Sequence, residues 1–401
     1  MTVAPDSTTL VRSPARPNVL TVDLGAVDHN VRAVRDIVGP GKEVFAALKG
    51  NAYGYGLLPV GRQLVDSGAD GLAVVHVADA VALRKEGIAA PLLLYGGNLG
   101  DPGLIGFIED HDLTATIVDQ ASAELHGSRA TRRIRCFLKV DVGLERLGAY
   151  PADAMAVART IRRHRHLSLE GVYTHMKVGR VQPDSFGCQN GSSVPYAEWQ
   201  LGRFQEVVEE LRAEGFDFRV TLAASSPAIV LSQGREFTAV DPGRLLYGLL
   251  PPVPNLVEID VRPAFVALKS RLIQLKTVNR QQYIEEAGFE LRPDMRIGVL
   301  PMGYGDGLGS VDCGEVLLLG RRAAIIGISL EHARIDVSAI PEAQAGDEVV
   351  IVGRQGSSEI SVEEVIEHQG LRTPAGLAAA VRETVERRYR REATSIPGTL
   401  G

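Results

Sequence analysis

The chain has 401 residues, of which 45% are apolar and 23% charged, and its formal charge is −6. That length exceeds one ordinary core and calls for a large α/β domain plus a smaller one. The weak negative charge lacks the basic footprint of a nucleic-acid binder, and no apolar run approaches the ~20 residues of a membrane-spanning helix.

Residues 1–17 are rich in Ser, Thr and Pro without a charged start and apolar core, so they read as a flexible tail rather than a signal peptide. The three cysteines, Cys136, Cys188 and Cys313, are too scattered for a disulfide framework, and a reducing, cytoplasmic compartment is expected. From residue 44 to 250, short β-type runs alternate with helical patterns. Strands are expected at 44–48, 71–75, 91–95, 113–117, 136–140, 169–173, 220–223 and 245–247. They are rich in Val, Ile and Leu, as strands buried on both faces are. Between them, Trp199, Phe204, Val207, Val208 and Leu211 form one helical stripe that Gly215 terminates, and Pro151 opens a helix over 152–162. Eight such units predict a (β/α)8 TIM-like barrel over 18–256, with an open doubly wound sheet as the alternative. After Pro251, Pro252 and Pro254 the texture changes. Runs at 265–275, 296–301, 315–319, 323–328, 333–337 and 348–352 predict a mostly-β C-terminal domain over 257–401. A helix over 376–391 closes it, with Arg387, Arg388, Arg390 and Arg391 on a solvated face.

Barrel chemistry sits at the C-terminal ends of the strands. The first such end is Leu48-Lys49-Gly50-Asn51-Ala52-Tyr53-Gly54-Tyr55-Gly56. A lysine there faces a low-dielectric mouth, which lowers its pKa and makes its amine a nucleophile able to form a Schiff base. The bland alternative is a lysine snorkelling at a strand end. The glycines let backbone approach closely, and Tyr53 can donate to a phosphate.

This segment resembles the cofactor-lysine segment of the alanine racemase family. Further stretches follow in family order: Thr21-Val22-Asp23-Leu24 with His29-Asn30, Lys139-Val140-Asp141-Val142-Gly143-Leu144-Glu145-Arg146-Leu147-Gly148, Gly171-Val172-Tyr173-Thr174-His175, Pro242-Gly243 with Leu246-Tyr247-Gly248, and Pro301-Met302-Gly303-Tyr304-Gly305-Asp306-Gly307. The resemblance implies pyridoxal 5′-phosphate held by Lys49, a small-molecule amino-acid substrate, and a head-to-tail homodimer. Lys49 would serve as acid and base on one face of the substrate and Tyr304 of the second subunit on the other. It also implies that Arg146 meets the cofactor's phenolic oxygen and that His175 lies behind the ring, in the Tyr304 hydrogen-bond network. Tyr53, Ser226 and the N–H groups of Gly243 and Arg244 would take the phosphate. Lys139 matches a lysine that some members carbamylate. Racemisation removes a proton from one face and returns one to the other, so two opposed bases are the minimum apparatus. Taken singly, His175 also reads as a satisfied strand-end histidine, Arg146 as a partner of Glu145 or Asp141, and Tyr304 as a packed aromatic.

Several positions depart from the family. Its arginine against the pyridine nitrogen is absent, and Asp241 stands before the Pro-Gly turn; Arg244 is the nearest arginine that could take that place. Ser225 replaces an asparagine before the phosphate serine. The substrate-carboxylate segment reads Ser329-Leu330-Glu331-His332, which makes Leu330 and Glu331, with Arg146, the candidate substrate contacts. A tyrosine expected near Thr373-Pro374 is missing, with Ala375 and Gly376 there instead, and residues 178–194 form a longer insertion that could act as a lid. The expected function is an amino-acid racemase or epimerase whose substrate need not be alanine. A carboxylate at the ring nitrogen would equally suit decarboxylation or retro-aldol cleavage. A non-catalytic pyridoxal-phosphate carrier is a further alternative, disfavoured by the β-domain and Tyr304.

Overall fold

The computed structural model describes residues 16–95, 101, 103–178, 194–253, 256–278, 285–286, 289–309, 314–368 and 374–391. Most of the N-terminal tail, the interior of the 178–194 insertion, Thr373, Cys188 and Cys313 lie outside the described residues. The chain divides into two compact units: Met1–Val22 with Phe265–Tyr389, and Asp23–Ala264 with Arg390–Gly401.

The strand β1 (Val19–Asp23) leads directly into the helix Leu24–Val38. Asp23 ends the strand and caps the helix, its Oδ1 accepting from the N–H groups of Gly25 (2.8 Å) and Ala26 (3.1 Å). Val27, Val31, Val34 and Val38 then make the buried stripe. Eight parallel strands follow: β2 (Glu43–Ala47), β3 (Gly71–Val74), β4 (Leu92–Leu94), β5 (Ala115–Ile117), β6 (Ile134–Val140), β7 (Leu167–Thr174), β8 (Val220–Ser225) and β9 (Ala239–Asp241). Their order is β4-β3-β2-β9-β8-β7-β6-β5. A parallel bridge between Leu93 and Thr114 joins the two ends, with Leu94 N–H donating to Thr114 O at 2.9 Å, and closes the barrel.

Its interior is a side-chain layer of Phe45, Ala73, Leu93, Phe137, Tyr173, Val220, Leu222 and Ala239. The large rings of Phe45 and Phe137 meet edge to face at 5.9 Å. Small residues make room for them: a Cβ on Gly171 would stand 2.8 Å from the Phe137 ring. This is the packed core of a (β/α)8 barrel.

Seven of the expected strands are present, and the eighth is corrected. Residues 245–247 lie in a 3-10 turn, Arg244–Tyr247, and the last barrel strand is Ala239–Asp241. Leu245, Leu246 and Tyr247 are apolar because they are buried, which a turn beneath the barrel rim demands as firmly as a strand does.

The second unit is antiparallel and mostly β, with strands β10 (Phe265–Arg271), β11 (Gln274–Thr277), β12 (Glu285–Glu286), β13 (Phe289–Glu290), β14 (Arg296–Leu300), β15 (Glu315–Leu318), β16 (Arg321–Ile328), β17 (Ala333–Asp336), β18 (Glu348–Gln355), β19 (Ser358–Ile360) and β20 (Glu386–Arg390). Its main sheet runs β11-β14-β17-β16-β15-β18-β10-β1-β20. β1 therefore joins this sheet, pairing antiparallel with β10 (Val19 opposite Lys269), rather than opening the barrel. The closing helix is also corrected. It is a short helix, Pro374–Ala380, followed by β20, whose charged residues line a sheet edge. Among the described residues, no helix is long and apolar enough to cross a membrane.

Candidate active site

The barrel unit encloses a cavity of about 500 Å³ at the C-terminal ends of its strands, and several of those ends deliver reactive groups to it. β2 is buried through Ala47 and Leu48, and Lys49 follows. The chain then turns left-handed, with φ of +65° at Gly50, +54° at Asn51 and Ala52, and +56° at Tyr53. Non-glycine residues adopt this at a cost of about 1–2 kcal/mol each, so three in succession are imposed by their surroundings. Asn51 fixes the turn, its Oδ1 accepting from Leu57 N–H at 2.7 Å. The Tyr53 ring packs on Tyr247 at 4.8 Å, and Tyr55 stacks on the same ring at 5.0 Å.

The turn brings the Tyr53 hydroxyl to the backbone of Gly243, where any Cβ would collide with it. The Ser226 hydroxyl accepts from the N–H groups of Gly243 (2.9 Å) and Leu245 (3.3 Å). Arg244 completes this rim, and its Nε is buried without a hydrogen-bond partner among the described residues. Two hydroxyls and a guanidinium on one rim are a donor set for an anion.

Across the cavity, Lys139 is the penultimate residue of β6, buried, its ammonium 4.5 Å over the Tyr173 ring. Burial pushes Lys139 down to about 8; Asp241 opposes the shift and Arg146 adds to it. Asp141 follows. Its carboxylate accepts from the N–H groups of Gly143 (3.0 Å), Leu144 (2.8 Å), Glu145 (3.1 Å) and Arg146 (2.7 Å). This wraps the loop around one side chain and carries Arg146 to the cavity wall. Arg146 thus meets Asp141 through its backbone, and among the described residues its guanidinium has no ion pair.

β7 delivers His175, whose pKa burial drives down to about 3, with Lys139, Lys49 and Arg146 contributing. Its imidazole is neutral at pH 7. Burial likewise lowers Lys49, against the attraction of Asp241 and with the repulsion of Arg146. β9 ends with Asp241. Burial raises its carboxyl to about 6 against the Tyr95 hydrogen bond and the two lysines. Its Oδ2 accepts from the Tyr95 hydroxyl at 3.0 Å, while its Oδ1 is buried without a partner among the described residues.

Comparison with known proteins agrees with this architecture. Residues 22–251 match the family model "Alanine racemase, N-terminal domain", and residues 265–389 match "Alanine racemase, C-terminal domain". The chain belongs to the alanine racemase family. The alanine racemase of Desulforamulus reducens is 33% identical over 86% of this chain and 91% of its own length, and that of Geobacter sulfurreducens is 31% identical over 94% and 97%. The structure of alanine racemase from Bacillus anthracis, with bound L-Ala-P, superposes with a TM-score of 0.83 at 27% identity and covers 94% of this chain and 95% of its own. The biosynthetic alanine racemase of Pseudomonas aeruginosa gives 0.74 at 29%, with 94% and 100% covered.

Alanine racemases are pyridoxal-phosphate-dependent isomerases, and this chain is an enzyme of that family with that cofactor. The cavity suits the group. It offers a buried amine of lowered pKa, a rim of hydrogen-bond donors kept open by Gly243, and two buried polar atoms without partners among the described residues, Arg244 Nε and Asp241 Oδ1. Its volume falls in the ordinary range for small-molecule sites.

Of the residues expected from the sequence, Lys49, Tyr53, Arg146, His175, Ser225, Ser226, Asp241, Gly243 and Arg244 all line this one cavity. Asp241 and Arg244 both line it. Tyr304, Leu330 and Glu331 lie in the other unit and are brought together there. Tyr304 N–H donates to Ser329 O (3.0 Å) and Gly305 N–H to Leu330 O (2.8 Å), while Glu331 pairs with Arg16. Tyr304 and Leu330 are each 48% exposed. Tyr95 and Tyr173 were not anticipated as site residues. Their positions, one residue beyond β4 and near the end of β7, were the available signal.

Proposed function

We propose that the protein is a pyridoxal-phosphate-dependent amino-acid racemase or epimerase that works as a head-to-tail homodimer in the cytoplasm, with Lys49 and Tyr304 as its two bases. The observation that carries the reading is the Lys49 amine, lowered in pKa by burial, in the same cavity as the anion-binding rim of Tyr53, Ser226, Gly243 and Arg244. Bound there, the cofactor supplies an electron sink for the pair left when a bond at the substrate α-carbon breaks. Lys49 holds the cofactor through its amine and moves the α-proton on one face. Tyr304, from the neighbouring subunit, serves the other face. Arg146 and neutral His175 orient and polarise, and the rim fixes the phosphate. Leu330 and Glu331, beside Tyr304, supply the substrate-contacting surface. Their departure from the family's substrate-carboxylate segment is the ground for reading the substrate as an amino acid other than alanine.

The purified protein is expected to show an absorbance band near the visible edge that Lys49→Ala abolishes. Incubation with single enantiomers and chiral chromatography then identify the substrate. Stereochemical exchange with no amino acid refutes racemisation. One observation favours a second reading: a carboxylate, Asp241, faces the cavity. Decarboxylation or retro-aldol cleavage would then release carbon dioxide or an aldehyde from the same incubations.

A further inference from the structure

The geometry points to Asp241, steadied by the Tyr95 hydroxyl, as the group that pairs with the pyridine nitrogen of the bound cofactor and keeps that nitrogen protonated. The inference rests on the cofactor being seated in this cavity through Lys49.

Three observations carry it. The first is charge. Among the described residues lining the cavity, Asp241 is the single carboxylate, against the cationic side chains of Lys49, Lys139, Arg146 and Arg244. The phosphate rim suits an anion, so the one acidic group is available to the one basic atom of the ring.

The second is position. On neighbouring strands, Ser225 stands in register with Asp241, and Ser226 and Gly243 follow each of them toward the rim. Asp241 therefore lies two residues deeper along its strand than the Gly243 amide. β2, which precedes Lys49, runs beside β9, with Val44 opposite Val240 and Ala47 N–H donating to Pro242 O at 3.0 Å. A ring tethered by its phosphate at the rim and joined to Lys49 at the next strand extends inward, toward the level of Asp241.

The third is the unmet bond. Oδ2 is occupied by Tyr95, whereas Oδ1 is buried with no partner among the described residues. A buried carboxylate oxygen left without a partner is costly, and a structure retains one where a ligand completes it. A ring N–H donating to Oδ1 completes it. The proton is shared within one pair: an acid facing a free nitrogen, or a carboxylate facing a pyridinium. Burial favours the neutral acid; against it, the Tyr95 hydroxyl donates to the carboxylate, and the Lys139 charge and a ring N–H on Oδ1 favour the carboxylate–pyridinium form. Tyr95 is a positioning residue here, since its hydroxyl meets Asp241 and fixes which oxygen stays free. A nitrogen held protonated withdraws more of the electron pair left at the α-carbon, so the site is suited to bond cleavages beyond proton exchange.

The test is to load the protein with pyridoxal phosphate carrying 15N in the ring and to record the ring-nitrogen shift across the neutral pH range. Wild type is expected to give the protonated-type shift throughout. D241N, of the same shape but neutral, is expected to give the free-base shift. Y95F is expected to remain protonated in mild acid and to lose the proton at a lower pH than wild type. A free-base nitrogen in wild type, or a fully protonated one in D241N, overturns the inference while leaving the cofactor on Lys49. A protein that takes up no cofactor, with no Lys49-dependent absorbance band, overturns the proposed function and this inference with it.

Discussion

Lys139 is a cavity cation whose burial works against its charge. Its ammonium is buried and pushed down to about 8 from 10.5, although it gains some relief over the Tyr173 ring. Below about pH 8, folded and unfolded chains both carry the proton, and the cost of burying the charge is fully present. Between about 8 and 10.5 the folded chain has released it while the unfolded chain keeps it. The unfolded state then binds more protons, and stability rises with pH. The cofactor-free Lys139→Met variant is therefore expected to melt higher than wild type at neutral pH, with the gap shrinking toward pH 10. Lys49 is shifted in the same direction but is common to both proteins, so it cancels in the difference. A melting-temperature gap that stays constant over this range would place the Lys139 charge in a well-solvated setting.

At the scale of elements, the loop after β6 shows how a strand end holds its side chain. Four backbone N–H groups converge on the Asp141 carboxylate, and the last belongs to Arg146. Burial opposes the charge on Asp141, yet these bonds overcome it and hold its pKa below the ordinary value. Asp141→Asn keeps the shape and removes the charge. It is expected to lose about 1–3 kcal/mol in urea unfolding at neutral pH, because charge-assisted bonds become neutral ones, and to bind the cofactor more weakly because Arg146 loses its anchor. The depressed pKa means that this stabilisation is present above the ordinary carboxylate value and fades as pH falls through the folded one, so wild type and variant should converge in acid. Equal urea midpoints at neutral pH would show that the loop is held by other contacts.

The same scale explains what could be read from the sequence. Seven barrel strands were legible because each is an apolar run bounded by turn residues, and burial on both faces leaves no other pattern. The eighth was misplaced. Ala239–Asp241 is three residues long and ends on a carboxylate, whereas Leu245–Tyr247 is continuously apolar. The chemistry of Asp241 breaks the pattern that marks its strand. The cavity residues were legible through their motif positions, but Tyr95 was not, because nothing local distinguishes a tyrosine that packs from one that donates to Asp241. The C-terminal misreading arose differently. Glu386–Arg390 has a helix-forming composition, but its exposure alternates and it sits at a sheet edge.

For the whole molecule, the open question is assembly. Tyr304 and Leu330 are exposed large side chains on adjoining turns of one unit, while Lys49 is enclosed in the other. In the proposed head-to-tail dimer, each site draws Lys49 from one subunit and Tyr304 from its partner. Two inactive variants, Lys49→Ala and Tyr304→Ala, then place both lesions in the same site when they pair, and the second site of that hybrid is intact. Random mixing makes half of the dimers hybrids, each with one working site of two, so activity should return to about a quarter of wild type. If Tyr304 instead serves the Lys49 of its own chain, every site in the mixture carries a lesion and mixing restores nothing. Co-refolding the two variants and following interconversion of the enantiomers by chiral chromatography, a readout that needs both bases, decides between these arrangements. A hybrid population confirmed by tagged subunits but still inactive would rule out the shared site.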